Sequence, residues 1–188
     1  MAKNFCDLTG KKAVVVGGSG GIGQAIAMAL AEAGAQVMIA SLYRDSLDRA
    51  AREIKSDSGE TVLTFVVDAA KEEQVCRLLE AAVSAMSTVD ILVNAQGLNK
   101  KFPGTEFPVE AWDAMFDSNV KSVMLTCKHF GKFMKEQGIH GKIINLSSVR
   151  GSRAVGNGGN GTGEHDGRRT GGLSGKNNNG RNQGYCAG

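Results

Sequence analysis

The sequence of 188 residues contains no long apolar run. No stretch approaches the roughly 18 apolar residues that a helix needs to cross a bilayer, so no membrane-spanning segment is expected. Residues 1–7 lack the apolar core of a secretory signal peptide. The four cysteines are scattered, with no Cys-x-x-Cys pair, which argues against a disulfide framework and a cysteine-based zinc site. These absences predict a cytoplasmic protein.

Residues 1–150 have no excess of charge of either sign. They hold equal numbers of acidic and basic side chains, so the net charge of +3 lies entirely in residues 151–188. That segment also contains 13 of the 26 glycines and six asparagines. Such a composition cannot bury enough apolar surface to offset the entropy lost on ordering. We therefore predict a folded domain over 1–150 and a disordered Gly/Asn/Arg-rich tail over 151–188.

The sequence also lacks the side-chain groupings of a metal site or a nucleic-acid surface. His129, His140 and His165 have no ligand spacing with carboxylates or cysteines, so no metal is predicted. The few Arg-Gly pairs of the tail have no interleaved aromatic residues, which disfavours binding to RNA. No nucleic-acid partner is expected.

Apolar runs and helical periodicities alternate from residue 11 to residue 150. The runs that predict strands lie at 13–16, 37–40, 62–67, 91–93 and 142–146. They are apolar without alternation, as in strands that are buried on both faces. Amphipathic patterns between them predict helices. Repeated βα units indicate an α/β protein with a doubly wound parallel sheet.

The pattern after residue 110 predicts one long helix with an unusually broad apolar face. That face comprises Trp112, Phe116, Val120, Val123, Cys127, Phe130 and Met134. Two interpretations stay open: these side chains fill the core, or they form a subunit contact in a homo-oligomer.

A glycine-rich turn joins the first strand to the first helix. Residues 16–23 read Val-Gly-Gly-Ser-Gly-Gly-Ile-Gly. Glycine lets the backbone turn tightly and approach a pyrophosphate, whose charge then lies among the unpaired N–H groups of a helix amino-terminus. Any tight βα turn can use glycine, but a position after the first strand of a repeated βα series favours a dinucleotide.

Five motifs, taken in order, resemble those of the short-chain dehydrogenases/reductases. They are Gly17-x-x-x-Gly21-Ile22-Gly23, Asp68-Ala69, Asn94-Ala95-Gln96-Gly97, the segment 116–120 with Asn119, and the segment 141–148 that ends in Ser147-Ser148. The resemblance covers residues 8–150. It implies a Rossmann-type sheet that is incomplete at its carboxy-terminal side, because the family continues beyond the fifth strand.

The resemblance implies that a nicotinamide dinucleotide binds at the glycine-rich turn. The matching positions are Gly17, Ser19, Gly21, Ile22, Gly23, Ser41, Arg44, Asp68, Ala69, Asn94 and Gly97. Members that prefer NAD carry a carboxylate at the end of the second strand, where this chain has Ser41. Arg44 could neutralise the 2′-phosphate of NADP, which we expect to be the cofactor. NAD remains the alternative cofactor, because Leu42 occupies the position where NADP-preferring relatives usually have arginine.

The same resemblance implies hydride transfer between the nicotinamide and an alcohol or ketone. Ser148 would hydrogen-bond the substrate oxygen, Asn119 would hold a proton route, and Tyr185 would be the general acid and base. Tyr185 is an imperfect match. It lies 37 positions after Ser148, and no lysine follows it at the fourth position. We interpret residues 156–184 as the product of a shifted reading frame or an incomplete gene.

Three segments further resemble the gluconate 5-dehydrogenase-like branch of the family, which oxidises sugar acids and polyols. They are 94–99, 106–108 and 147–151. Arg150 could meet a substrate carboxylate or be an ordinary solvent-facing arginine. The expected function is an NAD(P)-dependent oxidoreductase acting on a small-molecule alcohol or ketone, impaired by the missing lysine. The alternatives are a non-catalytic nucleotide-binding module and an inactive remnant.

Overall fold

A computed structural model describes residues 7–148. The strands are β1 (Lys12–Val16), β2 (Gln36–Ser41), β3 (Leu63–Val66), β4 (Ile91–Asn94) and β5 (Lys142–Asn145). The α-helices are α1 (Gly21–Glu32), α2 (Arg44–Ser58), α3 (Glu72–Met86), α4 (Val109–Phe116) and α5 (Ser122–Glu136). A 3-10 turn spans Gly104–Glu106, and a π-helical turn, Asp117–Lys121, joins α4 to α5.

The five strands form one parallel sheet in the order β3-β2-β1-β4-β5. Val14 of β1 pairs with Met38 of β2 on one side and with Leu92 of β4 on the other. The chain therefore moves outward in one direction from β1 to β3 and then crosses back to β4. This is the predicted doubly wound parallel sheet, and the crossover leaves a crevice at the carboxyl ends of β1 and β4.

Both faces of the sheet are covered by helices. Val14 and Val16 of β1 belong to the core under α3 and α5, whereas Ala13 and Val15 belong to the core under α1 and α2. Because successive residues of a strand point to opposite faces, a strand between two helical layers needs apolar side chains at every position. The unbroken apolar runs in the sequence are thereby explained.

The predicted long helix is divided in the structure, and its apolar face is divided with it. Phe130 of α5 is fully buried, and Met134 is buried beside it in the core under α3 and α5. Trp112 of α4 is 61% exposed, and Phe116 and Val120 are also exposed. The core interpretation therefore holds for the second half of the segment, while the first half presents an apolar surface.

None of the helices in the described part of the chain has the length and apolar character needed to cross a membrane.

Candidate functional site

A cleft lies at the carboxyl ends of the strands. Its volume is about 420 Å³. The lining residues follow β1, β2, β3 and β4 or lie near the π-helical turn: Val16, Gly17, Ser19, Gly20, Ser41, Leu42, Val67, Asp68, Ala69, Ala70, Lys71, Ala95, Gln96, Gly97, Ala114, Asp117, Ser118 and Ser122. The cleft thus lies at the crossover between β1 and β4, where ligands bind in open α/β sheets.

The glycine-rich turn forms one wall of the cleft, and a side chain at Gly17 or Gly23 would collide with the backbone. Gly17 has φ +80°, and a Cβ there would lie 2.5 Å from the backbone nitrogen of Gln96. A Cβ on Gly23 would collide with the carbonyl oxygen of Gly17 and lie 2.9 Å from its carbonyl carbon. Both residues must therefore lack a side chain for the turn to pack against the start of α1 and the turn after β4.

The amino-terminus of α1 adds a positive electrostatic potential to that wall. The helix begins at Gly21, its Gly20 cap makes no side-chain hydrogen bond, and its first turn contains no acidic residue. The helix dipole and the first N–H groups are therefore not compensated from within the helix. This arrangement suits an anionic group such as a pyrophosphate.

The end of β2 offers hydroxyl groups to the cleft and no carboxylate. The Ser19 hydroxyl donates to Ser41 Oγ at 2.8 Å, and both residues line the cleft. Arg44 does not line it. Its Nη1 lies 3.3 Å from Thr64 Oγ1 and 3.8 Å from Asp48 Oδ1, so the guanidinium is engaged along α2 and β3. The structure brings Ser19 and Ser41 together but leaves Arg44 outside the lining.

The turn after β3 is held by hydrogen bonds to the backbone. The Ala70 N–H donates to Asp68 Oδ1 at 3.0 Å, and the Asp68 N–H donates to Gln74 Oε1 at 2.8 Å. Asp68 and Ala69 line the cleft. Gln74 was not singled out in the sequence. Gln74 lies inside an amphipathic helix six residues after Asp68, and no sequence pattern indicates that its side chain binds the Asp68 backbone.

The Asn94 side chain makes hydrogen bonds that connect elements of the fold. It is buried at the end of β4, where its Nδ2 donates to Asn145 Oδ1 at 2.8 Å and its Oδ1 accepts from Thr126 Oγ1 at 2.8 Å. The side chain thereby joins β4 to β5 and to α5. It does not line the cleft, whereas Gly97 of the same motif does.

Gln96 is a cleft residue that the sequence analysis did not select. Its Nε2 donates to Ser122 Oγ at 3.0 Å, and its buried Oε1 has no hydrogen-bond partner among the described residues. The hydrogen bond between Gln96 and Ser122 connects the turn after β4 to the start of α5.

Asn119 lies in the π-helical turn and binds the loop that follows β4. Its Oδ1 accepts from the Leu98 N–H at 2.7 Å, and its Nδ2 donates to the Leu98 carbonyl at 2.9 Å. Both ends of the amide are therefore used by one residue of the loop. Its neighbours Asp117 and Ser118 line the cleft. The two hydrogen bonds between Asn119 and Leu98 therefore fix the position of the π-helical turn beside the cleft.

The predicted catalytic residues are placed only in part. Ser148 is exposed and lies three residues beyond β5, whose carboxyl end is at the same edge of the sheet as the cleft. Tyr185 and Arg150 lie outside the described residues, as does the predicted tail. No group of three or more His, Cys, Asp or Glu within residues 7–148 could hold a metal ion.

Comparisons with known proteins agree with this fold. The family model described as short chain dehydrogenase matches residues 11–160. An uncharacterized oxidoreductase of Staphylococcus aureus strain MRSA252 is 38% identical over 144 residues, which are 77% of this chain and 61% of the relative. Another, from Staphylococcus saprophyticus, is 37% identical over 145 residues, which are 77% of this chain and 62% of the relative. The chain thus spans about three fifths of these relatives.

Two solved structures show the same architecture. The crystal structure of a short-chain type dehydrogenase/reductase from Mycobacterium marinum matches with a TM-score of 0.75 at 35% identity, over 80% of this chain and 60% of that one. The structure of an NAD+-bound xylitol dehydrogenase matches with a TM-score of 0.73 at 27% identity, over 78% of this chain and 56% of that one.

Proposed function

The chain belongs to the short-chain dehydrogenase family, and from that premise we propose that it forms the nucleotide-binding part of a cytoplasmic NAD(P)-dependent oxidoreductase. The observation that carries the proposal is the close backbone packing of the glycine-rich turn at the start of α1. Gly17 and Gly23 pack where a Cβ would collide with backbone, and this close packing leaves the uncapped start of α1 beside the cleft. A pyrophosphate at that helix start would accept hydrogen bonds from N–H groups that have no partner within the helix.

We assign each predicted cofactor residue a role on this basis. Gly17, Gly21 and Gly23 form the turn, Ile22 and Ser19 flank the phosphates, and Asp68 with Ala69 faces the adenine. Gly97 forms the opposite wall after β4, and Asn94 supports that wall through Asn145 and Thr126.

NADP is the cofactor that we propose in preference to NAD. The Ser19 and Ser41 hydroxyls at the end of β2 can donate to the 2′-phosphate, and no carboxylate lines that part of the cleft to repel it. Arg44 would have to leave Asp48 and Thr64 to reach the phosphate. Its side chain is 57% exposed, and an exposed ion pair of this kind is worth only about 0–1 kcal/mol, so the rearrangement costs little.

The bound nicotinamide would supply hydride transfer to or from an alcohol or ketone. Ser148, beyond the carboxyl end of β5, would hydrogen-bond the substrate oxygen as charge develops there. Asn119 would hold the π-helical turn in place through its two bonds to Leu98. Tyr185 would exchange the proton with the substrate oxygen.

The proposed substrate is a sugar acid or a polyol. The motifs at 94–99, 106–108 and 147–151 support it through their likeness to the gluconate 5-dehydrogenase branch. The match to the structure of a xylitol dehydrogenase also supports a polyol, with Arg150 available for a carboxylate.

The exposed side chains of α4 support a homo-oligomer. Val109, Trp112, Phe116, Val120 and Met124 are exposed along one line of α4, the π-helical turn and α5. Two copies packed against each other along this line would cover its apolar side chains.

A binding titration followed by a turnover assay tests the proposal. We expect saturable binding of NADPH to the 188-residue chain, with weaker binding of NADH, measured by nicotinamide fluorescence. Turnover would then be sought with a panel of sugar acids, polyols and their ketones. Binding without turnover would favour the non-catalytic module, and a chain that binds neither dinucleotide would contradict the proposal and favour the inactive remnant.

A further inference from the structure

The outer edge of β5 (Lys142–Asn145) is an apolar strand edge without a partner strand among residues 7–148. All four residues are exposed, whereas every residue of the neighbouring β4 is buried. Ile143 is 37% exposed and pairs with Leu92, which belongs to the core under α3 and α5. Ile144 is 50% exposed and pairs with Val93, which belongs to the core under α1 and α2. The strand therefore presents an isoleucine on each face of the sheet, where parallel strands are normally covered.

The pairing of β5 with β4 determines which backbone groups face outward. The Leu146 N–H donates to the Asn94 carbonyl of β4 at 2.9 Å. Backbone groups of alternate residues in a strand point to the same side, so those of Ile144 also face β4. The N–H and C=O groups of Ile143 and Asn145 therefore point away from β4. Such a row of unpaired groups is a template for another strand.

The opposite edge of the sheet is protected in a way that β5 is not. That edge is β3 (Leu63–Val66), where the Arg44 guanidinium lies 3.3 Å from Thr64 Oγ1. A charged side chain beside an edge strand opposes pairing with another strand. In β5 the only charged residue is Lys142, at its first position. The two edges can therefore be compared directly in experiments.

A second copy of β5 fits this outer edge. If two copies run antiparallel with Ile144 opposite Ile144, then Ile143 of each copy lies opposite Asn145 of the other. Each of these pairs exchanges two N–H···O=C bonds, which uses every outward group of both residues. The two Ile144 side chains then form the closely spaced pair between those bonds. Lys142 lies opposite Leu146, so the two ammonium groups are offset by about 14 Å along the strands, beyond the screening length at physiological salt.

The segment that follows in the sequence offers no comparable strand. Residues 149–188 contain 13 glycines and no three consecutive aliphatic residues. Glycine is depleted in strands, and a glycine-rich partner would leave Ile143 and Ile144 without apolar side chains to pack against. A second copy supplies both the backbone groups and the apolar side chains.

We propose that β5 is a self-association edge, at which two copies of the chain join their sheets through antiparallel β5 strands with Ile144 opposite Ile144. This contact is separate from the exposed line of α4 and does not depend on nucleotide binding. It comprises one short strand from each copy, far less than a standard protein interface, so the association is weak and its detection requires trapping or high protein concentration.

Disulfide trapping tests the register. In the Trp112→Glu chain, where the α4 contact is weakened, Ile144→Cys should form an intermolecular disulfide on mild oxidation, because the opposed Cα atoms would lie about 4.5 Å apart. Ile143→Cys is the matched control, since its two copies would be about 8 Å apart, too far for a disulfide. Val66→Cys, on the β3 edge with the same 37% exposure as Ile143, should not cross-link either.

Peptide masses identify the linked cysteines and separate them from disulfides of the native ones. We expect the yield at position 144 to exceed that at positions 143 and 66 at least about tenfold. Equal yields at the three positions, or a higher yield at position 143, would overturn the proposed pairing.

Amide hydrogen exchange tests the same contact in the unmodified 188-residue chain. The N–H groups of Ile143 and Asn145 should exchange more slowly as protein concentration rises, whereas that of Ile144, which faces β4, should not change. Protection of Ile143 and Asn145 at every concentration would mean that the same chain covers its own edge. That result, or no protection at any concentration, contradicts self-association.

A charge at the centre of the proposed pair tests its contribution to association. Ile144→Lys places two like charges opposite each other and should abolish the concentration dependence of exchange at Ile143. Val66→Lys puts the same charge on the β3 edge and should leave that dependence unchanged. Thermal melts establish that both variants fold. If Ile144→Lys keeps the dependence, or both variants lose it equally, β5 is not the contact.

Discussion

Replacing Gly23 with alanine separates the role of the glycine-rich turn in binding from its role in folding. A Cβ at this position would collide with the carbonyl oxygen of Gly17. That oxygen belongs to backbone, so relief requires the turn and the start of α1 to move apart by roughly 1 Å to restore an ordinary contact. We expect Gly23→Ala to lose about 1–3 kcal/mol of stability, the usual cost of overpacking.

The effect on binding is larger than this loss of stability suggests. A shift of the start of α1 moves its N–H groups away from the proposed phosphate position, and a hydrogen bond to a charged group is worth about 1.5–3 kcal/mol. Loss of one such bond lowers the affinity for NADPH by about 10–100-fold. Fluorescence titration at a temperature where both proteins are folded, as established by thermal melts, measures this difference.

Gly104→Ala is the matched control. A Cβ on Gly104, in the 3-10 turn outside the cleft lining, meets nothing within 4 Å. It should change neither the melting temperature nor the affinity. If Gly23→Ala binds NADPH as the parent chain does, the glycine-rich turn does not hold the dinucleotide and the proposed site is wrong.

Two other substitutions test the cofactor preference and the apolar line of α4. Ser41→Asp should lower the affinity for NADPH about tenfold, because the new carboxylate repels the 2′-phosphate. It should raise the affinity for NADH, because a carboxylate accepts hydrogen bonds from both ribose hydroxyls. If parallel titrations give the same ratio of NADPH to NADH affinity in variant and parent, residue 41 does not contact the ribose. Trp112→Glu places a charge on the exposed line and should raise the dimer dissociation constant at least about tenfold. Light scattering across a dilution series measures it, and a monomeric parent chain would refute the oligomer.

The sheet and its cleft could be predicted because their signals are local. Strands buried on both faces need uninterrupted apolar runs, and a turn that packs backbone against backbone needs glycine at Gly17 and Gly23. The predicted strand limits differ from the observed ones by at most one residue, and those differences remain because only the ladder of hydrogen bonds decides where a strand ends. The order of the five motifs along the chain matches that of the family, and this match identified the cofactor and catalytic positions.

Side-chain partners could not be predicted in the same way. Whether Arg44 faces the cleft depends on a choice among exposed rotamers, and Asp48 and Thr64 decide it. Asn94 belongs to a cofactor motif, yet its amide is used by Asn145 and Thr126, which lie far along the chain. Cys76 and His129 are separated by 53 positions, so only packing of α3 against α5 shows that they meet.

The π-helical turn between α4 and α5 has a consequence for how this segment tolerates change in length. A π-helical turn accommodates one more residue than an α-helical turn, and each residue rotates an α-helix by about 100°. The exposed apolar line of α4 and the buried face of α5 are therefore set relative to each other by a single extra residue. Removing any one residue of Asp117–Lys121 could restore regular helix, but it would turn Trp112 and Phe116 about a quarter of the way around the axis. The number of residues in this turn therefore decides which side chains of α4 face solvent.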